Sequence, residues 1–353
     1  MIDSEKLNKL REKYAEGEGA MIHDPEFARA AEAAASCGSL IAPPYSGMST
    51  FLDAPYRPDV LDEPGSEPID IALLGIPMDL GVTNRAGARL GPRAVRFIER
   101  VGLYEHALRM APAELCRFAD VGDVPFESRY DLLACHRNIE SFIAALLDAG
   151  IVPLSVGGDH SVTLPILRAV GRERPVGLVH VDAHCDTGGK LEGNKFHHGG
   201  PFRHAVLEGV LDPERTIQIG IRGQSEFLWE FSYESGMTVL HAEKVAELGI
   251  DAVVQRAREV VGDGPVYVSF DVDALDPAFA PGTGTPEVGG LSTLDALRLL
   301  RGLMGLDVVG GDVVEVAPQY DPTTNTAHAA AQILFQILCL AAKAVDLRRT
   351  AHK

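Results

Sequence analysis

Positive charge is scarce in this chain: 32 lysines and arginines stand against 50 aspartates and glutamates in 353 residues, a formal charge of −18. An acidic surface repels phosphates, which excludes nucleic acid and anionic membranes as main partners and leaves a cationic or neutral small molecule as the expected ligand. Cysteine is scarce as well. The five thiols, Cys37, Cys116, Cys135, Cys185 and Cys339, include no CxxC pair and are too scattered for a disulfide framework, so four of them are expected in the core. No apolar run near the ~18 residues of a membrane span stands out. The N-terminal "MIDSEKLNKLREKYAEGEGA" lacks the apolar centre of a secretory signal, so the cytoplasm is the expected compartment.

What is present is ordinary for a globular protein: 46% hydrophobic and 23% charged residues, enough for a packed core and too apolar for disorder. The length permits one large α/β domain. Residues 1–65 combine a charged, helix-patterned start with "CGSLIAPPYSGMSTFLDAPYRPD", rich in turn formers, and are expected to form an arm packed on the main domain or on a neighbouring subunit. From residue 66 to 353 the pattern changes. Short apolar runs that resemble buried strands ("IDIALLGIP", "GIVPLSVGG", "PVGLVHVDAH", "RTIQIGIRG", "MTVLHA", "PVYVSFDVDA", "LDVVGGDVVEV") alternate with stretches of helical periodicity such as "RYDLLACHRNIESFIAALLDAG" and "VAELGIDAVVQRAREVV". This alternation predicts a mostly parallel central sheet flanked by helices on both faces, three layers in all. In such sheets ligands bind beyond the carboxyl ends of the strands.

Three predicted strands end in metal-ligand chemistry. "PLSVGGDHS" supplies Asp159 and His160, "LVHVDAHCDT" supplies Asp182, His184 and Asp186, and "VYVSFDVDALDP" supplies Asp271 and Asp273. Spacing of two puts side chains on one face wherever extended backbone continues, which lets them converge. Several carboxylates in one place cannot all remain ionised without cations. His160, Asp182, His184, Asp186, Asp271 and Asp273 offer four carboxylates and two imidazoles, more than one ion needs, so a site for two divalent ions with bridging aspartates is expected. Oxygen-rich ligation with some imidazole favours manganese, with zinc, nickel, iron and cobalt compatible on ligand chemistry alone.

These segments, together with "GVTNRAGARLGPRAVR", "FADVGDVP", "HHGGPFRHAV", "QIGIRG" and "DVVEVAPQYD", resemble the signatures of the ureohydrolase family, which includes arginase and agmatinase, over most of the chain from about Phe51. The resemblance implies an arginase-like three-layer fold and assembly into homotrimers or homohexamers. It implies that His160, Asp182, Asp186 and Asp271 hold one ion and Asp182, His184, Asp271 and Asp273 the other. Asp159 then lies behind the ligands and Asp276 belongs to a turn. The family's histidine before glycine aligns with His198, giving it the role of proton shuttle, with a structural hydrogen bond as the bland reading. The resemblance assigns Glu315 to the substrate guanidinium; Asp312, earlier on the same strand, fits a packing or network role. Cys185, which points away from the ligands along an extended chain, has no expected catalytic part.

A guanidinium stays charged and resists water, so hydrolysis needs a strong nucleophile and a proton for the departing amine. Two divalent ions meet the first need by lowering the pKa of bound water towards about 7. "GTGTPE" and "EVAPQYD" look closer to the agmatinase branch, so agmatine or a close guanidino compound is the expected substrate, with 4-guanidinobutyrate, 3-guanidinopropionate and free guanidine as alternatives. Arg85 or Arg89 receiving a substrate carboxylate would favour guanidino acids; buried salt bridges are the competing role for both. Three further classes are weighed. A deacetylase-like amidohydrolase with a single zinc leaves His160, Asp186 and Asp273 idle. A phosphotransferase lacks its glycine-rich loop, and a non-catalytic scaffold would be expected to have lost ligands.

Overall fold

A computed structural model describes residues 3–15, 22–36, 46–61, 67–99, 101, 104–223 and 226–351. Eight parallel strands form one sheet: β1 (Ile71–Gly75), β2 (Phe118–Asp123), β3 (Val152–Val156), β4 (Val176–Val181), β5 (Leu211–Ile221), β6 (Thr238–His241), β7 (Val266–Asp271) and β8 (Val308–Val314). All seven predicted runs are strands. The eighth, β2, was not predicted, because "FADVGD" carries two aspartates and a glycine in six positions and reads as a loop. It pairs with β1 at the sheet edge.

Alternation along the strands builds two apolar cores, one on each face. Ile71 and Leu73 of β1, Val179 and Val181 of β4, and Val266, Val268 and Phe270 of β7 pack on one side with the helix Asn325–Ala351. Ala72 and Leu74, Leu178, and Tyr267 face the other, where the helices Leu132–Asp148 and Thr163–Val170 lie. The helix Leu132–Asp148 begins where the Asp131 carboxylate accepts from Leu133 N and Ala134 N. "VAELGIDAVVQRAREVV" forms two helices rather than one, Ala242–Leu248 and Ile250–Val261, since Gly249 takes φ +74° between them.

The expectation of no membrane-length apolar run needs correction. The helix Asn325–Ala351 contains an 18-residue stretch apolar enough to cross a membrane, 78% of it buried inside the molecule. Its uninterrupted apolarity reflects burial on nearly every side, as for a core helix. At the N-terminus two helices are described, Ser4–Tyr14 and Pro25–Ser36; the second contacts the main body where Glu26 takes hydrogen bonds from Tyr104 Oη at 2.6 Å and from Arg109 Nη2 at 2.5 Å. The segment "CGSLIAPPY", including Cys37, lies outside the described residues. Cys116, Cys135, Cys185 and Cys339 are all buried.

The strand order is β2-β1-β3-β8-β7-β4-β5-β6. Four adjacent central strands, β3, β8, β7 and β4, therefore end side by side. Beyond their carboxyl ends follow His160, Glu315, Asp273 and the run Asp182 to Asp186, in that spatial order.

Candidate active site

Three of these strand ends use the same local device. Asp159 Oδ1 accepts from Ser161 N at 2.9 Å, Asp182 Oδ1 from His184 N at 2.6 Å, and Asp271 Oδ1 from Asp273 N at 2.8 Å. An aspartate bonded to the N–H two residues on is an Asx turn, and it stops the strand where the ligands begin. The convergence of alternate residues is real, but its cause differs from the expected continuation of extended backbone. Val272–Ala274 is a 3₁₀ turn and Ala183 and His184 lie in a bend. Asp186 and Glu315 complete the arrangement with left-handed backbone, φ +50° and +64°. Such strain in non-glycine residues costs about 1–3 kcal/mol each and persists only where surroundings enforce it.

All six predicted ligands meet. His160 Nδ1 lies 3.1 Å from Asp182 Oδ2, 2.9 Å from Asp186 Oδ2 and 3.5 Å from Asp271 Oδ2. His184 Nδ1 lies 3.5 Å from Asp182 Oδ1 and 3.1 Å from Asp273 Oδ2. Asp182 thus presents one oxygen to each imidazole. Among the described residues, metal-compatible groupings comprise His160, His180 and Asp182, and Asp182, His184 and Asp273.

Hydrogen bonds fix which tautomer His160 adopts. Ser269 Oγ donates its only proton to Asp312 Oδ1 at 2.7 Å, so at 2.8 Å from His160 Nε2 it must accept. Asp312 Oδ2 in turn accepts from Tyr267 Oη at 2.9 Å and Thr163 Oγ1 at 2.7 Å, all fully buried. Nε2 therefore carries hydrogen, and the buried Nδ1 faces three carboxylates, an arrangement that needs a proton or a metal cation between the nitrogen and the anions. A lone pair facing anions is repulsive unless a cation stands between them. The electrostatics of the cluster show the same deficit of positive charge. Burial, then the charges of Asp273 and Asp182, hold Asp271 well above the ordinary carboxylate range. Burial raises Asp273 to about 6 despite His184. Burial opposes charge on His160, yet the surrounding aspartates raise it well above the imidazole norm. The donor set fits divalent cations.

Sequence reasoning missed the layer behind the ligands. Gln218 Nε2 donates to His180 Nδ1 at 3.0 Å and to the Cys185 carbonyl at 2.6 Å, so His180 directs its Nε2–H to Asp182 Oδ2 at 2.7 Å. With both ring nitrogens committed, His180 orients Asp182 rather than offering a ligand atom. Its signal was the alternation His180, Asp182 on one strand face. Ser269, two residues before Asp271, was readable in the same way. Asp312 takes the network role expected of it.

The residues expected to act on substrate are also assembled. His198 Nδ1 donates to Glu315 Oε1 at 2.8 Å, and Glu315 Oε1 also accepts from His160 N at 2.9 Å. A guanidinium accepted by both Glu315 oxygens would therefore share or displace the His198 contact, since only Oε2 is uncommitted among the described residues. On the other side His198 Nε2 accepts from Thr83 N at 3.1 Å and lies 2.6 Å from Thr83 Oγ1, in the "GVTNRAGAR" loop, partners not anticipated. Burial disfavours the imidazolium, but the charges of Glu315, Asp159 and Asp186 outweigh it and raise His198 to about 9. His197 is turned differently, its Nε2 bonded to the Gly189 carbonyl at 2.7 Å.

The remaining candidates have structural duties. Asp159 is fully buried and also accepts from Gly81 N at 2.7 Å, fixing the loop that carries Thr83. Gly158 admits no side chain, because a Cβ there would lie 1.6 Å from the Met78 carbonyl oxygen. Asp276 caps a turn by accepting from Ala278 N and Gly289 N. Arg85 bonds the Thr283 and Gly284 carbonyls and stacks on Tyr320, and Arg89 pairs with Asp79. Cys185 Sγ contacts the Leu228 carbonyl at 3.4 Å, and burial raises its thiol pKa, the reverse of an activated nucleophile.

A cavity of about 320 Å³ opens onto the cluster, lined by Thr83, His184, Asp186, His198, Asp271 and Thr285 at its inner end.

Comparison with known proteins agrees with this geometry. The model of the arginase family matches residues 69–340. The guanidinopropionase of Pseudomonas aeruginosa is 52% identical over 85% of this chain and 94% of its own length. The mitochondrial agmatinase of Gallus gallus is 46% identical over 78% of this chain and 82% of its own. Among solved structures, the proclavaminate amidino hydrolase from Streptomyces clavuligerus superposes with a TM-score of 0.78 at 38% identity, covering 86% of this chain and all 100% of that one.

Proposed function

Since this chain belongs to the arginase family, we propose that it hydrolyses the guanidinium group of agmatine or another small guanidino compound to urea and an amine. His160, Asp182, Asp186 and Asp271 would hold one divalent ion, and Asp182, His184, Asp271 and Asp273 a second, with manganese the best match to this donor set. The observation that carries this reading is the buried His160 Nδ1 among three carboxylate oxygens, 2.9–3.5 Å away. When bound, such a pair of ions acidifies water and so supplies a nucleophile at neutral pH.

The chain's own residues account for the rest of the reaction. Water oxygen adds to the guanidinium carbon and the bond from that carbon to the tail nitrogen breaks; that nitrogen, which carries one hydrogen, gains one proton to leave as an amine and a second to end as an ammonium, and the two protons of the added water balance both. His198 holds a proton at Nδ1, against Glu315, beside the cavity, and Thr83, through its N–H and hydroxyl at Nε2, keeps the ring in place. Glu315 Oε2, uncommitted among the described residues, would accept from the cationic head. A deacetylase-like enzyme with one zinc would leave His160, Asp186 and Asp273 without a task, whereas here they lie in contact with the other ligands.

Urea release from agmatine, arginine, 4-guanidinobutyrate, 3-guanidinopropionate and guanidine, measured on protein loaded separately with manganese, nickel and zinc, tests the proposal. Two ions per chain and urea from at least one compound are expected. One tightly held zinc, or silence with every compound at full loading, would overturn it. Assembly into homotrimers or homohexamers and a cytoplasmic location belong to the same proposal; light scattering of the purified protein checks the first.

A further inference from the structure

The guanidinium end of the cavity is electrically settled, and its outer end differs from it in charge. Lys190, Leu191, Leu228 and Trp229 line that end. The carboxylates that line the cavity, Asp186 and Asp271, both belong to the cluster. Arg222 also reaches the wall, yet its guanidinium is spent on the backbone carbonyls of Gly220, Asp273, Ala274, Leu275, Glu287 and Val288. Lys190 is different. It is exposed and, among the described residues, its ammonium makes no hydrogen bond or ion pair.

The loop that presents Lys190 is held on both sides of it. Gly188 N donates to the Gly199 carbonyl at 2.7 Å, His197 Nε2 to the Gly189 carbonyl at 2.7 Å, and Leu191 and Asn194 exchange backbone bonds at 3.0 and 2.8 Å. Arg203 Nε adds a bond to the Thr187 carbonyl at 2.7 Å. His197, 8% exposed and on the same wall, is left with a buried Nδ1 that has no protein partner. A proton shared between that nitrogen and a bound carboxylate would complete its bonding.

Among the described lining residues, a tail ending in an ammonium finds no carboxylate outside the cluster, and it meets Lys190 as a like charge. Glu287 does not line the cavity and has its Oε1 4.0 Å from His184 Nε2. A tail ending in a carboxylate meets an unpaired ammonium, across a short span walled by Leu228 and Trp229. The cavity of about 320 Å³ sits at the small end of ligand pockets, which suits a tail of a few carbons. We propose that Lys190 is the specificity residue of this site, binding the carboxylate of a short-chain guanidino acid while the guanidinium lies at the metal cluster. This rests on the ureohydrolase reading and narrows its substrate from guanidino compounds in general to guanidino acids.

The test compares wild type, Lys190→Met, Lys190→Glu and Glu287→Gln with 3-guanidinopropionate, 4-guanidinobutyrate and agmatine. Wild type should prefer an acid over agmatine. In Lys190→Met the KM for the acids should rise about tenfold, the scale of one charge-assisted hydrogen bond, with the change falling on KM rather than kcat. Lys190→Glu should shift preference towards agmatine, and Glu287→Gln should leave the acids alone. The only tryptophan of the chain, Trp229, stands in the wall, so its fluorescence reads binding independently of turnover. Titration with the acids should give a Kd weakened to a similar degree in Lys190→Met. Higher wild-type kcat/KM for agmatine, or an acid KM and Kd within about twofold of wild type in Lys190→Met, overturns the assignment. Silence of the metal-loaded wild type with these three and with arginine and guanidine would instead refute the ureohydrolase reading, and the fluorescence titration would still decide Lys190.

Discussion

Replacing Ser269 with alanine interrogates the support behind His160, one of the proposed metal ligands, without substituting any of those ligands. The hydroxyl accepts from His160 Nε2 at 2.8 Å and donates to Asp312 Oδ1 at 2.7 Å. Both neighbours are fully buried, so water does not readily replace it. The variant loses the contact that fixes the His160 tautomer and ring plane and leaves a buried N–H without an acceptor. Outer-shell partners of this kind contribute about 10–100-fold to metal affinity, roughly 1.4–2.8 kcal/mol. The unsatisfied N–H costs the folded state a further ~1–3 kcal/mol, whereas the missing oxygen leaves little cavity. Equilibrium dialysis against graded manganese, with metal per chain counted by mass spectrometry, resolves the effect. One ion should bind at least about tenfold more weakly. The ion assigned to His184 should be affected less, because His160 is not among its ligands. Wild-type affinity for both ions in a folded variant would refute the reasoning.

Three further outcomes are expected. Glu315→Gln should lower turnover of guanidino compounds by at least about 100-fold, the scale of a general acid or base. Its metal content should be unchanged, and the alkaline limb of its pH profile should move to lower pH, because the charge that helps hold the His198 proton is gone; lost metal would show that Glu315 serves the cluster instead. His136 is 2% exposed and burial lowers it to about 4, against an ordinary imidazole near 6.5. The unfolded chain thus takes up a proton that the fold refuses: this stability contribution is complete above pH 6.5 and lost as pH falls towards 4, about 3 kcal/mol in all. Thermal unfolding of His136→Gln should show a shallower loss between pH 7 and 5 than wild type; parallel curves would contradict this. Gly158→Ala must displace the Met78 carbonyl, 1.6 Å from the new Cβ, and should destabilise the fold by about 3 kcal/mol in urea unfolding. An unchanged midpoint would show that the loop yields freely.

The amino-acid sequence by itself determined the local chemistry: the alternation of buried strands and amphipathic helices, and the segments ending in Asp159, Asp182 and Asp271, whose following residues are ligand types. Such features follow from periodicity and side-chain identity within a few positions, which neighbouring residues suffice to define. Edge strand β2 escaped because its two aspartates and glycine contradict the apolar pattern; pairing with β1 overrides the weak local preference. Only the tertiary structure decided that β8 lies between β3 and β7, which carries Glu315 into contact with His160 and His198. It alone showed the Ser269–Asp312 support of His160, the Thr83 contact to His198 across 115 positions, and Lys190 as the unpaired cation of the cavity. Those relations join residues far apart along the chain. Strand order and loop closure bring them together, and no local pattern encodes which distant groups meet.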